Sequence, residues 1–227
     1  MKIGILTFHC AHNYGAVIQC YGLQEYLTSL GHQVFVIDYR PHYFDNYKLP
    51  KFDTTSFRRT KKYIREKIKD IIIGRSRRRR FYSFDDFINK HLNLISYDSR
   101  SDYSNFDAII LGSDQIWNPH ITGGQFDDVY FGKNAKCKVI SYAASSRFAS
   151  LTEEQKKFFA SNLRKIDYIS VRETSLMNLL QPLVKKTITT VIDPSLLPNV
   201  EEYEKLCYIT PSDKPYVLIY EVKRNKE

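Results

Sequence analysis

The first strand–helix–strand unit restricts the fold more than any other feature of the chain. Lys2–Thr7 reads as an apolar strand, and the run after it places Ala16, Cys20, Leu23, Leu27 and Leu30 at spacings of four, three, four and three, which is one face of an amphipathic helix. Gly31 stops that helix as a C-terminal cap does, and Gln33–Asp38 (QVFVID) resumes as a second strand. Two strands joined through a helix by short connections form a βαβ unit, whose right-handed crossover feeds a parallel sheet. The expected fold class is therefore α/β, a Rossmann-like parallel sheet flanked by helices. Further strands are expected at Asp107–Leu111, Lys138–Tyr142, Tyr168–Val171 and Ile188–Ile192, with helices at Glu153–Ile166 and Glu173–Leu180 between them.

A chain of 227 residues with 43% hydrophobic content can bury a sizeable core, which sets it apart from a disordered chain. Its start runs straight into a strand, without the apolar stretch and small-residue cleavage site of a secretory signal. No window approaches the roughly 18–20 apolar residues of a membrane span. Cys10, Cys20, Cys137 and Cys207 form no CxxC pair, which suits unbridged thiols in a reducing compartment. A cytoplasmic protein is the expectation.

The net charge of +9 comes from one segment. Between Arg58 and Arg80 stand twelve Lys or Arg against Glu66 and Asp70, while the remaining 22 basic and 23 acidic residues nearly cancel. A basic helical insertion is expected over 58–92, with Tyr63, Ile64, Ile68, Ile71 and Ile72 as its apolar stripe. Such a charge cluster fits a solvated helix face. The next reading is a peripheral contact of 58–80 with anionic lipid at the inner face of the membrane, since each Lys or Arg adds about 1 kcal/mol near such a surface. No helix-turn-helix, zinc-finger or RNP-type motif accompanies the charge, so no nucleic-acid partner is expected. Near the other end, ITPSDKP reads as a linker and Tyr216–Val222 as a new strand. The expected organisation is a domain over 1–209 followed by 210–227 as the linker and first strand of an incomplete second domain.

Polar residues gather where strands should end. FHCAHNYGAVIQC (residues 8–20) follows the first strand. His9 and His12 lack a third ligand at recognisable spacing, so no metal is expected, and Cys10 as a nucleophile would need a base placed by the fold. The turn itself offers more. Asn13 is a suitable N-cap, Gly15 lets a ligand approach the backbone, and the helix N-terminus favours anions or hydroxyls. LGSDQIWNP (111–119) follows DAIIL and places Gly112, Ser113, Asp114, Gln115 and Trp117 at a strand end, where open α/β sheets bind ligands. That mixture suits a sugar; the plainer reading makes Trp117 a core residue and Asp114 a cap. SYAASSR (141–147) adds hydroxyls including Ser145. Arg172 in SVRE offers a fork for phosphate or carboxylate, or a structural ion pair, and Asp193 in IDPSLLP closes a further strand.

Taken together, NYGAVIQCYGLQEYL, LGSDQIWNP, SYAASS, ISVRE and IDPSLL resemble, in order and spacing, the N-terminal half of the polysaccharide pyruvyl transferase family. The resemblance implies a GT-B-like fold of two Rossmann-type domains with the active site in the cleft, this chain being the N-terminal, acceptor-side domain with the second truncated. It implies transfer of a pyruvyl group from phosphoenolpyruvate, as donor substrate and without a cofactor, to a sugar of a surface polysaccharide or its lipid-linked precursor. Asp114 and Arg172 match catalytic positions, Asp114 toward an acceptor hydroxyl and Arg172 toward an anion. Asn13, Gly15, Ser113, Gln115, Trp117 and Ser145 match substrate-binding ones. Ser146 and Arg147 depart from the small residue or glycine expected after SYAAS. The family's second domain supplies much of the donor site, including a histidine, whereas the last histidine here is His120, so this chain alone is expected to have reduced or no activity. A GT-B glycosyltransferase using a nucleotide sugar and a non-catalytic glycan-binding or scaffold domain are the alternatives.

Overall fold

The computed structural model describes residues 1–47, 75, 78–207 and 215–217. Most of the 58–80 basic segment and of the expected strand at Tyr216–Val222 lies outside the described residues, as does the boundary expected near 209.

Seven parallel strands form one sheet in the order β3-β2-β1-β4-β5-β6-β7. They are β1 (Lys2–Leu6), β2 (Gln33–Asp38), β3 (Leu94–Ser96), β4 (Ala108–Leu111), β5 (Lys138–Ala144), β6 (Tyr168–Val171) and β7 (Ile188–Thr190). Helices α1 (Tyr14–Ser29), α2 (78–91), α3 (Glu153–Leu163), α4 (Thr174–Leu180) and α5 (Val200–Glu204) cover its faces. The expected Rossmann-like arrangement is present. Strand β3 is additional to the expected set, and β5 runs two residues beyond Tyr142.

Side chains alternate across the sheet because the strand period is two. Ile3, Ile5, Val34, Val36 and Ile110 pack with Val17, Cys20 and Leu23 of α1 and Phe84 and Ile88 of α2 on one face. Leu6, Ile37, Ile109, Leu111 and Val139 pack on the other with Phe159 and Leu163 of α3 and with Trp117. Burial of each such side chain contributes about 1.5–3 kcal/mol.

Helix α1 starts where Asn13, in extended conformation, accepts hydrogen bonds from the Gly15 and Ala16 N–H groups at 2.9 and 3.4 Å. It rests on the turn at Pro194–Leu196 so closely that a Cβ at Gly22 would lie 2.6 Å from the Pro194 carbonyl oxygen. The Tyr203 hydroxyl donates to the Ser195 carbonyl at 2.7 Å and closes the same contact from the side.

Candidate active site

Strand order reverses between β1 and β4, so the connections leaving their carboxyl ends diverge and open a crevice. A cleft of about 390 Å³ occupies this place, lined among others by Asn13, Gly15, Gln19, Asp114, Gln115, Arg172, Asp193 and Ser195. Five of the eight expected site residues meet here.

Hydrogen bonds to the end of β5 and the residues after it fix the loop after β4. Gly112 has φ +107°, and a Cβ on it would stand 2.6 Å from the Tyr142 carbonyl oxygen, so only glycine fits there. The Ser113 hydroxyl donates to the Ala143 carbonyl at 3.0 Å, Ser145 N–H to the Asp114 carbonyl at 2.9 Å, and the Ser146 hydroxyl to the Trp117 carbonyl at 3.0 Å. Asp114 itself has φ +82°, a strained conformation for a residue with a side chain. The loop thereby turns Asp114 and Gln115 to the cleft and Ser113 and Trp117 inward.

This corrects the expectation for Trp117 and Ser113 as cleft-facing groups. Both are fully buried. The Trp117 indole N–H donates to the Tyr130 carbonyl at 2.9 Å, and its ring stacks on Phe131 at 5.4 Å. An indole lies there because its one donor finds a carbonyl inside the core. Ser145 is also buried and reaches the site through Arg172.

Arg172 is tied to its own wall. Its Nε donates to Glu173 Oε1 at 3.0 Å, Nη1 to Asp193 Oδ2 at 2.8 Å and Nη2 to the Ser145 hydroxyl at 3.1 Å, while that hydroxyl donates to Glu173 Oε1 at 2.8 Å. Burial alone would lower the guanidinium pKa, but the bonds to Asp193 and Glu173 outweigh it and raise it. Asp193 Oδ1 accepts from the Ser195 N–H and hydroxyl at 2.9 and 2.7 Å. Burial lifts the Asp114 carboxyl above the usual carboxylate range; the Gln115 N–H and Arg172 pull it down, and Asp193 and Glu173 push it up.

The rest of the first turn is structural. His9 is buried, with Nε2 2.8 Å from Asp38 Oδ1, and Cys10 is buried beside the Tyr39 carbonyl. His12 stacks on Phe84 at 5.2 Å, and Arg80 donates to its carbonyl at 3.1 Å, which fastens α2 to the mouth of the cleft. Among the described residues no group of three or more His, Cys, Asp or Glu could hold a metal ion.

The family model described as polysaccharide pyruvyl transferase matches residues 13–226, nearly the whole chain, beginning at the N-cap of the cleft. The chain belongs to the polysaccharide pyruvyl transferase family. No curated protein and no solved structure matches it.

In this pyruvyl transferase, sequence reasoning passed over Glu173 and Gln19. Glu173 Oε2 is buried without a hydrogen-bond partner. Gln19 is buried in the cleft wall, where its amide donates to the Thr7 hydroxyl at 2.9 Å and to the Ala16 carbonyl at 2.8 Å, and the Thr7 hydroxyl donates on to the Ser113 carbonyl at 2.7 Å. Gln19 therefore braces the turn after β1 against the turn after β4. An acid directly after a strand-end arginine and a glutamine interrupting an apolar helix face were the available signals. No helix among the described residues is long and apolar enough to cross a membrane.

Proposed function

We propose that this pyruvyl transferase moves the pyruvyl group of phosphoenolpyruvate onto two hydroxyls of a sugar in a surface polysaccharide or its lipid-linked precursor, and that the cleft between β1 and β4 receives the acceptor sugar. The supporting observation is the set of three acids around one guanidinium: Asp114, Glu173 and Asp193 near Arg172. Carboxylates accept bonds from sugar hydroxyls, and the single guanidinium among them marks where the donor's carboxylate meets the acceptor.

The reaction adds a proton to the donor's methylene carbon, giving the methyl group, and two sugar oxygens bond to the adjacent carbon as its bond to the phosphate oxygen breaks. Of the two hydroxyl protons released, one balances the methyl group and the other leaves with phosphate. Asp114 takes the proton from an attacking hydroxyl, a role for which a carboxylate of raised basicity is better suited than an ordinary one. Three of the five guanidinium N–H donors of Arg172 are engaged, and the other two contact the donor carboxylate. Further cations close over the donor phosphate from beyond this wall, in a GT-B-like arrangement. Arg75, Arg78 and Arg79 are exposed and, in this reading, meet the anionic lipid that carries the acceptor.

The test is acceptor-dependent release of phosphate from phosphoenolpyruvate, with a lipid-linked glycan as acceptor, in the full protein and in Asp114→Asn. Release that needs the acceptor and is lost in the variant is expected. Release that is indifferent to either overturns the reading.

A further inference from the structure

A second cavity of about 810 Å³ opens at the same rim of the sheet, beyond the carboxyl ends of β2 and β3. It adjoins the first. Tyr43 lines one and its neighbour Phe44 the other, and the same holds for Thr122 and Ile121, so the partition is one residue thick at both places.

Its floor is aromatic and rigid. The Tyr39 and Tyr43 hydroxyls both donate to Asp127 Oδ2 at 2.8 Å, and Asp127 Oδ1 accepts from the Val129 N–H at 3.0 Å. Tyr97 leans on Tyr39 with ring centroids 4.6 Å apart. Above this floor, the polar heads of Tyr97, Gln125, Asp128 and Lys133 line the space without a hydrogen bond to any described residue. Arg40 Nε sits 2.6 Å from Asp38 Oδ1, and Asp127 accepts from three uncharged donors. With Asp128 and Lys133 the lining carries three carboxylates against one guanidinium and one ammonium, an excess of acid.

A nucleotide or other anion would call for an excess of positive charge. Tyrosine faces beside unengaged donors and acceptors of both signs instead suit a neutral sugar ring, whose C–H face stacks on aromatic carbon while its rim of hydroxyls bonds in both senses.

We propose that this cavity is a second glycan subsite, which holds a neighbouring sugar of the chain whose pyruvylated residue sits in the first cleft. The proposal rests on the acceptor reading of that cleft, and the test separates the two. Binding is measured by calorimetry on the full protein with β-linked tetrasaccharides of glucose and of galactose, against the corresponding methyl glycosides. Variants are Gln125→Ala, whose exposed side chain should leave folding intact, Tyr97→Ala, and Asp114→Asn in the first cleft.

A tetrasaccharide should bind tighter than its glycoside. Tyr97→Ala should weaken tetrasaccharide binding about tenfold and Gln125→Ala about threefold, with glycoside binding unchanged in both. Unaltered tetrasaccharide affinity in both variants, with weakening of all sugars in Asp114→Asn, would overturn the second subsite and leave the first standing. Failure of the unaltered protein to bind any of the sugars would overturn both.

Discussion

The two cavities share one rim of one sheet, yet their polar groups are in opposite conditions. In the cleft between β1 and β4 they are bonded to each other: Arg172 to Glu173, Asp193 and Ser145, and Gln19 to Thr7. In the cavity beyond β2 and β3 the bonded groups, Tyr39, Tyr43 and Asp127, form the floor, and the groups above it have no side-chain hydrogen bond to any described residue. A site that must hold reacting atoms in fixed geometry gains from side chains locked before substrate arrives. A site that only has to recognise does not need that lock. The difference is the one expected if, as proposed, the first cavity does the chemistry and the second only recognises.

Replacing Asp114 with Asn should break the contrast most sharply, lowering kcat about 10²–10⁴-fold by removing a proton acceptor. Gln125→Ala should instead raise the KM for a glycan acceptor about threefold in the same phosphate-release assay, with a far smaller effect on kcat. A comparable loss of kcat in both variants would erase the distinction. Trp117→Ala separates wall from floor: with its buried ring and its bond to the Tyr130 carbonyl, it should cost about 3–5 kcal/mol of stability in denaturant unfolding. A change in acceptor KM without that loss would return Trp117 to the cleft.

A smaller effect lies in the pH profile. If Asp114 acts as the base, kcat/KM falls as pH drops through its raised pKa. Arg172 lowers that pKa by its charge, so Arg172→Gln should move the acid limb of the profile upward. An unmoved limb would detach Asp114 from the titration. The smallest effect belongs to His12 at the mouth. Burial lowers its pKa, the Asp85 charge opposes this, and the Arg40 and Arg80 charges add to it. The unfolded chain then takes up the proton at higher pH than the folded one, so stability declines as pH falls through about 6.5. His12→Gln should flatten the dependence of Tm on pH between about 7.5 and 5.5.

The parallel sheet was legible because βαβ periodicity is strong: QVFVID and YISV begin and end in the structure where the pattern places them. Strand β3 was not, since LIS is three residues long and only partly buried, too short for alternation to register. Within the candidate site the loops were legible and the direction of each side chain was not. LGSDQIWNP marks a strand end, but which residues turn inward is decided by bonds to β5 such as that from Ser113 to Ala143, and those join residues thirty apart. Arg172 was readable as a strand-end arginine. Its engagement with Asp193 was hidden because that contact is set by the neighbouring positions of β6 and β7 in the sheet.

Gly22 does not line the cleft, yet it sets its gauge. The helix that carries one bank, with Asn13 at its tip, rests through Gly22 directly on the turn that carries the other, just after Asp193. A methyl group at that point would work as a shim, prising the banks apart and resizing the opening while leaving every residue that lines it in place.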